Sequence, residues 1–281
     1  MTHQAFASGN VAVITGGASG IGFAAAKRFV GMGLKVCIAD LPGDGLHQAV
    51  TQISPRDAMA VPCDVGKPED LHRLETTVRD RFGRVDILMN NAGIQPGTKL
   101  FDPDNWPRTL DVNLWGVIRG TQALAPGMIA QGTPGLIINT GSKQGITTPP
   151  GDPAYNISKA GVKVFTEALQ HQLRNTEHCK ITAHLLIPGY VFTALTAHGR
   201  TEKPAGAWTA DQTAAFMIER IAEGDFYILC PDNEVARELD EKRIAWAAGD
   251  IIENRPPLSR WHPDWTEKFT ASLAKELPKS R

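Results

Sequence analysis

Tyr155, Lys159 and Ser142 are the side chains of this sequence whose types and spacing carry the clearest chemistry. The run Tyr155-Asn156-Ile157-Ser158-Lys159 puts a phenol and an amine one turn apart on one helix face, with Ser142 thirteen residues before the tyrosine. A phenol with a pKa near 10 is mostly the wrong species for taking a proton at neutral pH. An ammonium about 5 Å away, at an effective dielectric of roughly 20, favours the phenolate by around 3 kcal/mol, or about two pKa units. The expectation is a tyrosine that works as general acid and base on a hydroxyl or carbonyl oxygen. Ser142 follows a strand ending at Asn139, where its hydroxyl is placed to donate a hydrogen bond to that oxygen.

A second group of residues suits a phosphate ligand. An apolar strand ending at Ile14 runs into Thr15-Gly16-Gly17-Ala18-Ser19-Gly20-Ile21-Gly22, after which Phe23 to Met32 has helical character. Glycines let the chain turn sharply there and bring its amides to a pyrophosphate, and the helix N-terminus adds a favourable dipole. Gly16, Ser19, Gly20, Ile21 and Gly22 are the expected cradle, in a G-x-x-x-G-x-G spacing that differs from the G-x-G-x-x-G fingerprint. Asp40 ends the next strand, where a carboxylate accepts hydrogen bonds from an adenosine ribose and repels a 2′-phosphate. No Arg or Lys stands at residues 16 to 22 or directly after Asp40, so NAD is favoured over NADP. Asp64, with Val65 beside it, closes the third strand in a similar way.

The elements that must position these residues are legible as apolar runs separated by amphipathic stretches: Val11-Ile14, Lys35-Ala39, Ala58-Pro62, Val85-Met89, Leu136-Asn139, Ile181-Leu186 and Phe226-Cys230. Strands apolar on both faces, alternating with helices, predict an α/β fold with a doubly wound parallel sheet, in a single domain with a C-terminal helical extension. Asp152-Pro153 reads as an N-cap and first helical residue ahead of Tyr155. Residues 194–210 read as a loop or short-helix lid over a catalytic unit of residues 1–232. Residues 233–281 read as a tail with a helix from Asn233 to Asp250, a Pro- and Trp-containing segment from Pro256 to Trp265 and a last short helix. Its apolar content is too low to fold alone, so it packs on the main unit or on a neighbouring subunit.

Composition narrows the partners. The 281 residues are 42% hydrophobic with a formal charge of -1 and scattered charges, which predicts no nucleic-acid or membrane partner. No secretory leader pattern and no run of eighteen apolar residues is present, so the expected location is the cytoplasm. Cys37, Cys63, Cys179 and Cys230 lie far apart and suit small buried hydrophobes, and the eight histidines show no metal-ligand spacing, so no metal is expected.

With Asn90-Asn91-Ala92-Gly93 between the glycine loop and the Tyr-x-x-x-Lys run, the sequence resembles the short-chain dehydrogenase/reductase family over roughly Gly9 to Thr193. The resemblance implies a nicotinamide-dependent oxidoreductase that interconverts a secondary alcohol and a ketone. It makes Ser142 the substrate-oxygen binder, Tyr155 the acid/base, and Lys159 both its activator and a nicotinamide-ribose ligand. It also implies that Asn113 holds a water in a proton relay, that Asn91 and Gly93 wall the adenosine side, and that Pro188, Gly189, Val191 and Thr193 clamp the nicotinamide carboxamide. The substrate pocket is expected between Ser142, Gln144, Tyr190, Phe192 and Trp208, favouring an apolar substrate. A homodimer or homotetramer is implied, through helices near Asp104-Ile129 and Pro153-Asn175.

Two departures stand out. Gly141 replaces the second serine that many members carry, with Lys143-Gln144 following. The chain also lacks their closing Asp-Gly-Gly turn, which argues against a tetramer built by that route. The alternatives are a non-catalytic dinucleotide-binding regulator, opposed by the intact Asn113, Ser142, Tyr155 and Lys159, and an epimerase or dehydratase using bound NAD transiently.

Overall fold

The first strand, β1 (Val11–Thr15), alternates its contacts: Ala12 and Ile14 face one apolar layer, Val11 and Val13 the other. That two-sided burial is the property of a parallel sheet covered on both faces. The computed structural model describes residues 3–197 and 199–274. The ends of the two expected chain segments, residues 1–2 and 275–281, and His198 of the expected lid lie outside the described residues.

Seven parallel strands form the sheet: β1, β2 (Lys35–Asp40), β3 (Ala58–Pro62), β4 (Ile87–Asn90), β5 (Gly135–Thr140), β6 (Ile181–Ile187) and β9 (Tyr227–Leu229). Their order is β3-β2-β1-β4-β5-β6-β9. Helices α1 (Gly20–Gly31), α2 (Asp44–Ile53) and α9 (Ala210–Ala222) cover one face, and α3 (Pro68–Phe82), α5 (Gly116–Ala130) and α7 (Pro153–Arg174) the other. The expected doubly wound fold is present. Strand order reverses between β1 and β4, whose registers pair Val13 with Leu88, and a crevice opens at the carboxyl ends of the strands on either side of that switch. A buried polar ladder spans the face covered by α5 and α7 next to it: Asn90 donates to Thr121 and Asn139, and Asn139 donates to Thr166.

Three irregular pieces shape the crevice. Before α5, the short helix α4 (Trp106–Leu110) passes into a π-helical turn, Asp111–Trp115, in which Gly116 N donates to Asp111 O. A one-turn helix, α6 (Gln144–Thr147), follows Ser142, and the backbone of Gly145 lies so near Lys159 that a Cβ would sit 2.4 Å from the lysine carbonyl carbon. The expected lid is the one-turn helix α8 (Ala194–Ala197), an irregular limb, and a two-residue pairing of β7 (Val191–Phe192) with β8 (Trp208–Thr209).

The tail consists of α10 (Arg237–Ile252), two 3₁₀ turns (Ser259–Trp261 and Pro263–Trp265) and α11 (Thr266–Leu273). Its centre is Trp246 rather than an aliphatic core. The Arg255 guanidinium lies 4.1 Å from that ring, Phe269 meets it edge-on at 5.4 Å, and its indole N–H donates to Ser259 Oγ at 2.8 Å. Helix α10 rests on α6 of its own chain. Among the described residues, no helix is long and apolar enough to cross a membrane, and no cluster of three His, Cys, Asp or Glu side chains is placed to hold a metal ion.

Candidate active site

The glycine loop can be read atom by atom. Gly16 has φ +62°, and a Cβ there would meet Ala92 Cα at 2.7 Å. At Gly22 a Cβ would lie 2.3 Å from Gly16 O and 2.6 Å from Asn91 Nδ2. These contacts let α1 start directly under the turn, with its free N–H groups facing the crevice. Asn91 braces the loop by donating to the carbonyls of Thr15 and Gly16 at 3.2 and 3.1 Å. Ser19, the residue before α1, makes no side-chain cap, and it lines the crevice.

Asp40 lies at the end of β2 with each carboxylate oxygen accepting one backbone bond, from Ala18 N at 2.9 Å and Leu41 N at 2.8 Å. A carboxylate offers about four acceptor positions, so roughly two remain for a ribose diol. Asp64 accepts from Gly66 N at 3.0 Å, and its own N–H donates to Asp70.

At the other end of the crevice, α7 carries Tyr155 and Lys159 to the edge of β5. Asp152 does not cap this helix as expected. Its carboxylate accepts instead from the Thr98 hydroxyl, which in turn accepts from Ala154 N at 3.0 Å, so the cap is relayed through Thr98. Lys159 Nζ donates to Thr140 O at 2.8 Å and lies 5.7 Å from the centroid of the Tyr155 ring.

Electrostatics at this pair run opposite to the expectation from spacing. Burial pushes the Tyr155 phenol up to about 12; a hydrogen bond with Ser142 pulls it down and the Asp152 carboxylate adds to the rise. Burial also draws the Lys159 ammonium down to about 8. Coulombic attraction from the lysine was expected to dominate; desolvation of the phenol, which spacing does not reveal, wins instead.

The crevice has a volume of about 600 Å³, within the roughly 300–1,000 Å³ usual for small-molecule sites. Its walls bring together Gly16, Ser19, Gly20, Ile21, Asp40, Asp64, Val65, Asn91, Gly93, Ser142, Tyr155, Lys159, Pro188, Gly189, Val191 and Thr193. Gly22 lies behind the loop. Asn113 is fully buried and off the wall. Its Oδ1 accepts from Ile94 N at 2.8 Å, and its Nδ2 donates to Ile94 O at 2.8 Å and Ser158 Oγ at 3.3 Å. Those side-chain atoms brace the strand-end loop, and one acceptor position of Oδ1 is not used by these bonds.

Four of the five expected pocket residues are not on the wall either. Trp208 pairs with Val191 in the β7–β8 bridge and packs edge-on against Phe216 at 5.6 Å. Its neighbour Phe192 pairs with Thr209 in the same bridge, and the Tyr190 hydroxyl accepts from Arg200 at 2.9 Å. Gln144 starts α6, its N–H donating to Ser142 Oγ at 3.1 Å. Ile94, Ala194 and Leu195 stand on the wall in their place. Ile94 follows Gly93 directly and Leu195 opens the lid, positions the sequence marks without distinguishing them. Lys67 and Arg108 also line the crevice, as cations outside the glycine loop and distant in sequence from Asp40.

The short chain dehydrogenase family model matches residues 10–204, a stretch that holds every residue on these walls. The chain belongs to that family. Short-chain dehydrogenases are oxidoreductases that use NAD or NADP and act on CH–OH groups, and the cradle, the open Asp40 oxygens and the Tyr155–Lys159 pair fit such a coenzyme. Among relatives, the chain is 29% identical over 259 residues to 1-deoxy-11-beta-hydroxypentalenate dehydrogenase of Streptomyces exfoliatus, covering 89% of this chain and 93% of that one. It is 35% identical over 189 residues to an uncharacterized oxidoreductase of Staphylococcus aureus, covering 66% of this chain and 80% of that one. Among solved structures, a short chain dehydrogenase/reductase from Burkholderia phymatum in complex with NAD superposes with a TM-score of 0.80 at 30% identity, over 89% of this chain and 96% of that one. The apo form of LigD from Sphingobium sp. strain SYK-6 gives 0.75 at 27% identity, over 89% and 99%.

Proposed function

We propose that this short-chain dehydrogenase interconverts an apolar secondary alcohol and its ketone with NAD. The observation that carries the reading is the single crevice in which the glycine loop and Asp40 stand at one end and Ser142, Tyr155 and Lys159 at the other. The nicotinamide, when bound, supplies the acceptor or donor of the hydride. Tyr155 holds its proton at neutral pH and gives it to a ketone oxygen in the reducing direction. In the oxidising direction its minor phenolate form, which Lys159, mostly cationic below about 8, favours, takes the alcohol proton and becomes the phenol again. Ser142 donates to the same substrate oxygen and fixes it against the phenol.

Asp40 supports NAD over NADP, because a second anion beside it is repelled. Ile94, Ala194 and Leu195 support an apolar substrate, since they present hydrocarbon around the two hydroxyls. Exposed Trp115, Ile157 and Val164, on the π turn and α7, support pairing of subunits as a homodimer or homotetramer.

The test is NADH formation over a panel of cyclic and aryl alcohols, with NADP and Tyr155→Phe as controls. Tyr155→Phe lowers kcat by about 10²–10⁴-fold while NADH still binds. A variant that keeps more than a small fraction of wild-type turnover overturns the assigned proton transfer. NADH binding without turnover of any alcohol or ketone favours the regulator.

A further inference from the structure

Lys143 follows Ser142 directly, yet it is absent from the crevice wall, and its side chain runs the other way. Its Nζ contacts Asp240 on α10 at 2.5 Å and Asp232 at 3.3 Å, with the lysine side chain 17% exposed and both aspartates 6%. Its backbone is committed too: Lys143 N donates to Pro188 O at 3.3 Å, and its carbonyl accepts from Ile146 and Thr147 in α6. Gly189 makes room for the ammonium, since a Cβ there would lie 2.7 Å from Lys143 Nζ and 2.6 Å from Asp232 Oδ2.

Asp232 is the junction of four segments. Its Oδ2 accepts from Tyr190 N at 3.2 Å as well as from Lys143, and its Oδ1 accepts from Glu234 N and Val235 N. The next residue, Asn233, donates to the carbonyls of Ala205 and Ala207 and so holds the returning limb of the lid. One ammonium and two carboxylates, all largely removed from water, therefore connect the Ser142 turn, the Pro188–Gly189 turn, the lid and the tail. Buried charges of this kind add little to stability compared with apolar packing, and their best-attested use is to fix register.

We propose that Lys143 is a positioning residue. Through Asp232 and Asp240 it fixes the Ser142 hydroxyl and the Pro188–Gly189 wall relative to each other, and it makes the C-terminal tail a working part of the active site. The catalytic half of this statement rests on the oxidoreductase reading above; the structural half does not.

The experiment compares wild type with Lys143→Met, Lys143→Arg and Asp240→Asn, the last of which balances the charge of the triad and guards against misfolding of the first. Hydrogen–deuterium exchange, which needs no substrate, is read over residues 141–147 and 188–193. Loss of protection in both segments in Lys143→Met and Asp240→Asn, with partial recovery in Lys143→Arg, is the expected result; unchanged exchange overturns the proposal even if no alcohol is ever turned over. Once a substrate is known, Lys143→Met lowers kcat about tenfold or more, as misplacement of a catalytic group does, and Lys143→Arg recovers part of that loss. A folded Lys143→Met protein with wild-type kcat and KM overturns the positioning role and leaves the function of Tyr155 standing.

Discussion

A buried phenol near 12 and a buried ammonium near 8 make Tyr155 and Lys159 sensitive to the charges around them. Asp152 holds the phenol up, so Asp152→Asn shifts the rising limb of the pH profile for alcohol oxidation to lower pH by a few tenths of a unit. A profile that stays in place, or moves up, refutes that assignment. Lys159 has a consequence for stability. Its folded value of about 8 lies below the 10.5 of an exposed lysine, so between those values the unfolded chain holds a proton that the folded chain has released. Stability therefore rises with pH across that window, and the full penalty, on the order of 3 kcal/mol, applies below it. Denaturant unfolding of coenzyme-free protein at pH 7.5 and pH 10 should show wild type gaining about 2–3 kcal/mol relative to Lys159→Met. Parallel behaviour of the two proteins contradicts this. The Tyr-x-x-x-Lys spacing discloses that the two groups share a helix face, but the depth at which that face is buried belongs to the tertiary structure, and depth decided the sign.

At the level of elements, the strands were legible because β1, β2 and β5 are apolar on both faces, a pattern few other structures produce. The aromatic residues of the lid were not, since Trp208 and Phe192 read the same whether they face a ligand or, as here, join a two-residue bridge against α9. The tail was recognisable as helix but its cohesion was not, because a tryptophan stacked on an arginine leaves no periodic apolar signature. Gly145 was overlooked for a related reason: close approach of two helices is a fact about neighbours distant in sequence. A Cβ at that position would sit 2.4 and 2.6 Å from the Lys159 carbonyl carbon and oxygen, atoms that cannot swing aside. Gly145→Ala therefore forces α6 away from α7, with an expected loss of about 1–3 kcal/mol in stability and a fall in kcat that leaves NADH affinity nearly unchanged. Wild-type melting and wild-type kcat in this variant would show that the two helices yield more easily than their contact implies.

For the whole molecule, Ile157 and Val164 lie two turns apart on α7, 50% and 63% exposed, and Trp115, on the π turn that packs against α7, is 47% exposed. If they join subunits, Ile157→Asp reduces the solution mass to that of one chain in light scattering at micromolar concentration, whereas a wild-type monomer removes the premise. The rod formed by α4, the π turn and α5 runs between this face and the crevice, with Arg108 on the crevice wall at one end and Val117, Leu124 and Met128 in the core at the other. Each residue of an α-helix advances the winding by about 100°. A π turn spends one residue more than an α turn on nearly the same rotation, so deleting one residue between Asp111 and Trp115 would let the rod rewind as plain α-helix with its two ends close to their present phase. The segment thus carries one residue in reserve: it can lose that residue with the crevice wall and the exposed face of the rod still in phase, whereas an insertion, or the same deletion made within α5, turns one against the other by the full step of a residue.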